Sequence, residues 1–154
     1  MKSLPHILFE LEEKLSNSDC INPAISASSV GWHIDHSLMV INQIVKNVSL
    51  SDPKEYEWKF NKLRLIVFTL NKIPRGKAKA PKAVIPIEAF NADAVRANFL
   101  IARDNIEMLK QLPSNKFFVH PFFGKLNVKH SFKMIQLHTN HHLQIINDII
   151  SSTN

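Results

Sequence analysis

The apolar residues of this chain recur at helical spacing in five separate segments, and this repeat constrains the fold more than any other feature. Residues three and four positions apart lie on one face of an α-helix, so each repeat predicts a stripe that must be buried. The chain also holds only three glycines among 154 residues. Sandwiches and barrels need many turns, so this scarcity favours helices over strands. We therefore predict an all-α fold.

Two of the five predicted helices also begin at a residue that favours the N-cap position. The second follows Ser28 or Ser29, and the fifth begins near Asn127 and continues to about Ile150. Serine and asparagine side chains accept hydrogen bonds from the free backbone N–H groups of a first helical turn. The other repeats are Leu4, Leu8, Leu11 and Leu15 in the first segment, Tyr56, Phe60, Leu63, Val67 and Leu70 in the third, and Val95, Phe99, Ala102, Ile106 and Leu109 in the fourth.

Proline-containing stretches separate the later helices. Residues 73–90 contain Pro74, Pro81 and Pro86, and we predict a long crossover there because proline removes a backbone donor from a helix. Residues 113–125 also contain proline and glycine and are predicted to be a loop. Four long helices joined with one long crossover indicate a four-helix bundle, with the Tyr56 segment as one additional short helix. At this length we expect a single domain over residues 1–154.

The sequence also indicates a cellular compartment. No apolar run reaches the roughly 18 residues that span a bilayer, so we expect no membrane partner. Glu10, Glu12 and Glu13 lie where a secretion signal stays apolar, and Cys20 has no second cysteine with which to form a disulfide. Both features favour a cytoplasmic protein.

The net charge of +6 raises the question of an acidic partner. The densest basic cluster is Arg75, Lys77, Lys79 and Lys82, which lies in the proline-containing crossover. No aromatic residue is interleaved with these cations, as a surface that binds single strands would need. We therefore expect a solvated loop and no nucleic-acid partner, although this loop could attract an anionic thiol.

Histidines interrupt the apolar stripe of the fifth helix. His138 and His142 fall on the face that Ile135 and Ile146 define, and their i, i+4 spacing places two imidazoles one turn apart. Each neutral ring still needs its polar edge satisfied when it is buried. The pair is therefore either two hydrogen-bonded core histidines or half of a metal site, and the spacing alone leaves both open.

A third metal ligand must come from another part of the chain, and the second helix offers "GWHIDHSL". His36 shares a face with Trp32 and Val40, as an inward ligand would. His33 lies about 60° away, so it is either a further ligand or a residue that supports one. His141 lies on the shoulder of the last helix, and His120 in the loop before it could line the mouth of a pocket.

The segments "SVGWHIDHSL" and "HPFFGKLNVKHSFKMIQLHTNHHLQIINDI" together resemble the DinB-like superfamily of metal-dependent proteins, in a branch described mainly as a domain of unknown function. The resemblance spans nearly the whole chain and implies a DinB-like four-helix bundle. The family's metal triad is one histidine on the second helix and an H-x-x-x-H pair on the last. By resemblance these are His36, His138 and His142, whereas His33 and His141 depart from the family pattern.

Three neutral imidazoles would leave a divalent ion with its full charge and an open position, which suits Zn²⁺ first and Ni²⁺ or Fe²⁺ as alternatives. Such an ion can lower the pKa of bound water to about 7 or deprotonate a bound thiol. The resemblance implies relatives that transfer small thiols and others like maleylpyruvate isomerase. No carboxylate in either motif is placed as a general base, which favours a small-thiol S-transferase over a hydrolase.

The alternative function is a non-catalytic helical bundle that binds a metal or another ligand, and such a protein could be a homodimer.

Overall fold

Five α-helices and one β-hairpin make up the part of the chain that the structure describes, which is residues 2–76, 81–86 and 90–152 of a computed structural model. The elements are α1 (Leu4–Glu13), α2 (Val30–Leu50), α3 (Lys62–Leu70), α4 (Ala92–Gln111), β1 (Phe117–His120), β2 (Gly124–Asn127) and α5 (Val128–Ser151). Short 3-10 turns lie at Lys14–Asn17, Pro53–Glu55 and Lys82–Val84. The predicted helical class is confirmed, with a small two-stranded sheet added to it.

Four of the helices pack around one apolar core. Helix α2 contacts α4 and α5, and α1 also contacts both of these helices. Phe99 of α4, Ile34 of α2 and Ile135 of α5 are all fully buried where these faces meet. Burying such side chains stabilises the fold by about 1.5–3 kcal/mol each. The predicted apolar stripes therefore form the interior of the bundle.

The predicted N-caps are present. The Ser29 hydroxyl accepts a hydrogen bond from the backbone N–H of Trp32 at 3.3 Å, and α2 begins at the next residue. The Asn127 side chain accepts from the backbone N–H of His130 at 3.0 Å at the start of α5. Both helices that carry the histidine motifs are thus fixed at their N-termini by a local interaction that the sequence specifies.

The predicted third helix begins later than its apolar repeat indicated. Its N-cap is Asn61, whose side chain accepts a hydrogen bond from the backbone N–H of Arg64 at 2.8 Å. Tyr56 and Phe60 therefore precede the helix, and the prediction was wrong for them. The Tyr56 ring packs against Phe117 of β1 with ring centroids 5.9 Å apart, so a tertiary contact holds it in an extended segment.

Residues 113–125, predicted as a loop, contain most of an antiparallel hairpin. Phe117 pairs with Asn127, and His120 pairs with Gly124 at the turn. Gly124 has a φ of +72°, a conformation that favours glycine. The His120 Nδ1 accepts hydrogen bonds from the backbone N–H groups of Phe122 and Phe123 at 3.2 and 3.3 Å. Strands of four residues are too short to show a clear alternation of apolar and polar residues in the sequence.

Arg64 fixes α3 to the hairpin. Its side chain is buried, and its guanidinium donates hydrogen bonds to the carbonyl groups of Lys59, Phe123 and Lys125 at 2.6, 3.3 and 3.5 Å. A guanidinium has five N–H donors, so one residue can satisfy several carbonyl groups at once. Helix α3 and the hairpin therefore form a connected wall beside the bundle.

The crossover before α4 contributes one short 3-10 turn, Lys82–Val84, with Val84 buried against the bundle. Arg75 forms an ion pair with Asp148 of α5 at 2.8 Å. Lys77 and Lys79, which belong to the predicted basic loop, lie outside the described residues. Within the residues that are described, none of the helices is long and apolar enough to cross a bilayer.

Candidate metal centre

Three histidines from two helices converge at one point of the bundle. His36 lies on α2, and His138 and His142 lie one turn apart on α5. One ring nitrogen from each lies within 4.8 Å of the others. The ring centroids of His36 are 5.1 Å from His138 and 4.7 Å from His142. Packing of α2 against α5 therefore brings together the three residues that the sequence singled out.

The tautomer of His36 is fixed by the backbone of the crossover. Its Nδ1 lies 2.5 Å from the carbonyl oxygen of Val84, which can only accept, so Nδ1 must carry the proton. The Nε2 atom then presents its lone pair. The Trp32 ring stacks on the imidazole, with centroids 4.8 Å apart and planes 15° apart. His36 is thus held in the orientation and protonation state that a metal ligand requires.

The His142 ring is positioned by a hydrogen bond with His33. The two Nδ1 atoms lie 2.9 Å apart, and the His33 Nε2 lies 2.9 Å from the hydroxyl of Ser26. When His142 donates from Nδ1 and His33 donates to Ser26, all three groups are paired and the His142 Nε2 keeps its lone pair. His33 therefore supports His142. The His33 Nδ1 contacts the Nδ1 of His142, whereas the Nε2 of His142 faces His138.

His138 and His142 are spaced as two ligands of one metal ion would be. Its Nε2 lies 3.3 Å from the Nε2 of His142. Two nitrogens that bind one zinc ion tetrahedrally at about 2.0–2.1 Å are about 3.3–3.4 Å apart, so this separation suits a shared ion. The Nδ1 of His138 is buried and has no hydrogen-bond partner among the described residues. The donor set, with imidazole nitrogens from two helices, fits a divalent transition metal.

Burial keeps these rings neutral. Loss of solvent lowers the pKa of His36 from its ordinary value of 6.5, and together with neighbouring histidines it lowers the pKa of His138 and His142 well below that value. Burial also lowers the pKa of His33 to about 4. Neutral imidazoles are the form that binds metals, so no deprotonation opposes binding at neutral pH.

The cluster opens into a cavity of about 560 Å³. His36, His138 and His142 lie in its wall, together with His141 and His120. Burial lowers the pKa of both additional histidines to about 4. His120 therefore lines a cavity beside the last helix, as predicted, and His141 joins it from α5.

Two parts of the site left no signal in the sequence. The Val84 carbonyl is a backbone group, and any residue type would supply it. Ser26 lies in the irregular segment before α2, and its role depends on the distant ring of His33. Asp35, on α2 beside His36, interacts with the side chain of Asn98 on α4, and burial raises the pKa of its carboxyl.

Comparison with known proteins does not identify a family for this chain. No family model, no curated protein and no solved structure matches the chain at a significant level. The arrangement of the histidines and the walls of the cavity is therefore the basis for a functional assignment.

Proposed function

We propose that this chain is a metal-dependent enzyme of DinB-like fold in which His36, His138 and His142 hold one divalent ion, Zn²⁺ before Ni²⁺ or Fe²⁺. The observation that carries the proposal is the convergence of three neutral imidazoles on one point, with one tautomer fixed by Val84. Three nitrogen ligands suit zinc and leave a position open for a further ligand.

When bound, such an ion supplies a Lewis acid that lowers the pKa of a thiol or of water. The chain contributes the fixed orientation of the three rings, supported by Val84 and His33. No aspartate or glutamate lies in the described part of the cavity wall. Aspartate and glutamate are among the general bases that hydrolysis uses, and their absence from the described wall favours activation of a small thiol for S-transfer over activation of water.

The second candidate is a non-catalytic metal- or ligand-binding bundle, and the apolar cavity with no described carboxylate supports it. A homodimer fits either candidate. A reducing, cytoplasmic setting belongs to the proposal as well, because Cys20 is a free thiol.

Metal analysis of the purified protein tests the site. We expect about one metal ion per chain in the wild type and its loss in His138→Ala. The matched control is His6→Ala, because His6 is an exposed histidine on α1 that pairs with Glu10 at 2.7 Å. Retention of the metal in His6→Ala and its loss in His138→Ala support the site, whereas equal metal content in all three proteins contradicts it.

Enzymatic turnover is tested separately with the metal-loaded protein. Small thiols are incubated with a chromogenic electrophile, and formation of the thioether is followed by absorbance. Turnover that disappears in His138→Ala and persists in His6→Ala supports the transferase. Stoichiometric metal without turnover of any thiol would establish the binding module in its place.

A further inference from the structure

The walls of the cavity beside the histidines are mainly apolar. Val40 and Ile44 of α2, Val67 of α3, Phe118 and Phe122 of the hairpin region and Met134 of α5 all line it. These side chains come from four different parts of the fold, so the apolar surface surrounds the space on several sides. Hydrophobic walls favour a ligand of matching apolar surface by about 25 cal/mol for each Å² removed from water.

Charged side chains are missing from the described part of this wall. Arg75, which lies between the cavity-lining residues Pro74 and Gly76, forms an ion pair with Asp148 at 2.8 Å and is not itself part of the described wall. Transfer of a charged group into such surroundings is costly without a partner of opposite charge. At a distance from the metal site, a carboxylate or an ammonium group would therefore find no counter-charge on the described walls.

The cavity is elongated along helix α2. His36, Val40, Gln43 and Asn47 share one face of α2 at spacings of four, three and four residues, and all four line the cavity. At 1.5 Å per residue, the space follows α2 for about 16 Å from the histidine to Asn47. The Gln43 side chain donates a hydrogen bond to Asn47 at 3.1 Å, so the far end carries neutral amides.

We infer that the ligand of this site is an uncharged, elongated and mainly apolar molecule with one thiol end, and not the anionic thiol that the basic loop suggested. The thiol end lies at the three histidines, and the apolar body extends along α2 between Val40, Val67 and Phe122. The placement of the thiol rests on the proposed metal site. The apolar character of the rest of the ligand rests on the residues that line the cavity.

A series of thiols tests the ligand class. The protein is loaded with Co²⁺, and binding of each thiol is followed by the sulfur-to-cobalt absorption band. From ethanethiol to hexanethiol we expect the affinity to rise at least tenfold, since full burial of a methylene is worth about fourfold. We also expect 1-butanethiol to bind at least tenfold more tightly than 3-mercaptopropionate, which has similar length and a carboxylate. Equal affinity along the series, or tighter binding of 3-mercaptopropionate, overturns the inference.

A pair of phenylalanine variants locates the apolar body. Phe122 lines the cavity and is 53% exposed, whereas Phe9 on α1 is 54% exposed and does not line it. We expect Phe122→Ala to weaken hexanethiol binding by about three- to tenfold with little effect on ethanethiol, and Phe9→Ala to change neither. An equal effect of both variants, or none of either, contradicts the placement.

A measurement without metal separates this inference from the proposed function. The metal-free protein is titrated with hexanol and with hexanoate, and the indole N–H signal of Trp32, which lines the cavity, is followed by NMR. Stronger binding of hexanol supports the apolar ligand class even if no metal binds. Stronger binding of hexanoate overturns it even if the metal site is correct.

Discussion

At the scale of single residues, the candidate site includes more than its three histidine ligands, because hydrogen bonds also fix the orientation of His142. His33 and Ser26 form a chain of hydrogen bonds that reaches the Nδ1 of His142. Only when His142 donates along this chain does its Nε2 keep the lone pair that a metal needs. Groups in this position commonly change metal affinity by 10- to 100-fold, because they fix ring orientation and tautomer.

Substitution of His33 measures this support. We expect His33→Ala to weaken Zn²⁺ affinity by about 10- to 100-fold in competition with a chromogenic chelator, because the His142 Nδ1 loses its acceptor. His33→Asn retains an acceptor near the position of the His33 Nδ1, so we expect it to restore most of the affinity. The Co²⁺ absorption spectrum should be altered in His33→Ala and close to wild type in His33→Asn. Wild-type affinity in His33→Ala would show that His142 needs no support.

At the scale of elements, one residue links the hairpin to the helix that carries two candidate ligands. Asn127 pairs with Phe117 at the end of β2 and also caps α5 through the backbone N–H of His130. Strand and helix therefore meet without a connecting loop. The wall of the cavity and the pair His138 and His142 are placed relative to each other through this junction.

Loss of the cap should weaken the fold by a measurable amount. We expect Asn127→Ala to lower the free energy of unfolding by about 1 kcal/mol, which corresponds to a decrease of about 2–4 °C in the midpoint of thermal unfolding. Asn127→Asp is the control, because its carboxylate can accept the same hydrogen bond. Circular dichroism on heating measures both variants. Equal destabilisation by alanine and aspartate would show that the cap is not what Asn127 contributes.

At the scale of the whole molecule, the fold contains seven histidines whose pKa is lowered mainly by burial. Burial is the largest cause of a lowered pKa at His33, His36, His120, His130, His138, His141 and His142. Such rings resist protonation in the folded chain but take up protons near pH 6.5 once the chain unfolds. The stability of the metal-free protein is therefore linked to pH.

We expect the free energy of unfolding of the metal-free protein to fall as the pH decreases from about 6.5 towards 4. In that window the unfolded chain binds protons that the folded chain excludes, because the pKa of His120 and His141 is lowered to about 4. Urea unfolding at a series of pH values measures the effect. Little change is expected between pH 7.5 and 8.5, where the rings are neutral in both states. A stability that is constant from pH 7 to pH 4.5 would contradict the burial of these rings.

Features that depend on local geometry could be predicted from the amino-acid sequence. Helical spacing predicted the apolar stripes, and the i, i+4 spacing placed His138 and His142 on one face. Two helix starts were predicted from cap residues, Ser28 or Ser29 for α2 and Asn127 for α5. Each of these follows from backbone periodicity within a few residues. The late start of α3 and the short hairpin were missed because tertiary contacts, such as Tyr56 with Phe117, outweigh local preference there.

Which side chains meet at the site depends on how the helices pack against one another. His36 and His33 lie only about 60° apart on α2, and the packing of α2 against α5 determined that one joins the cluster while the other supports it. The Val84 carbonyl reaches His36 across 48 residues of sequence, and His33 reaches His142 across 109. Contacts between residues so far apart in the sequence depend on how whole helices pack, so local sequence patterns do not predict them.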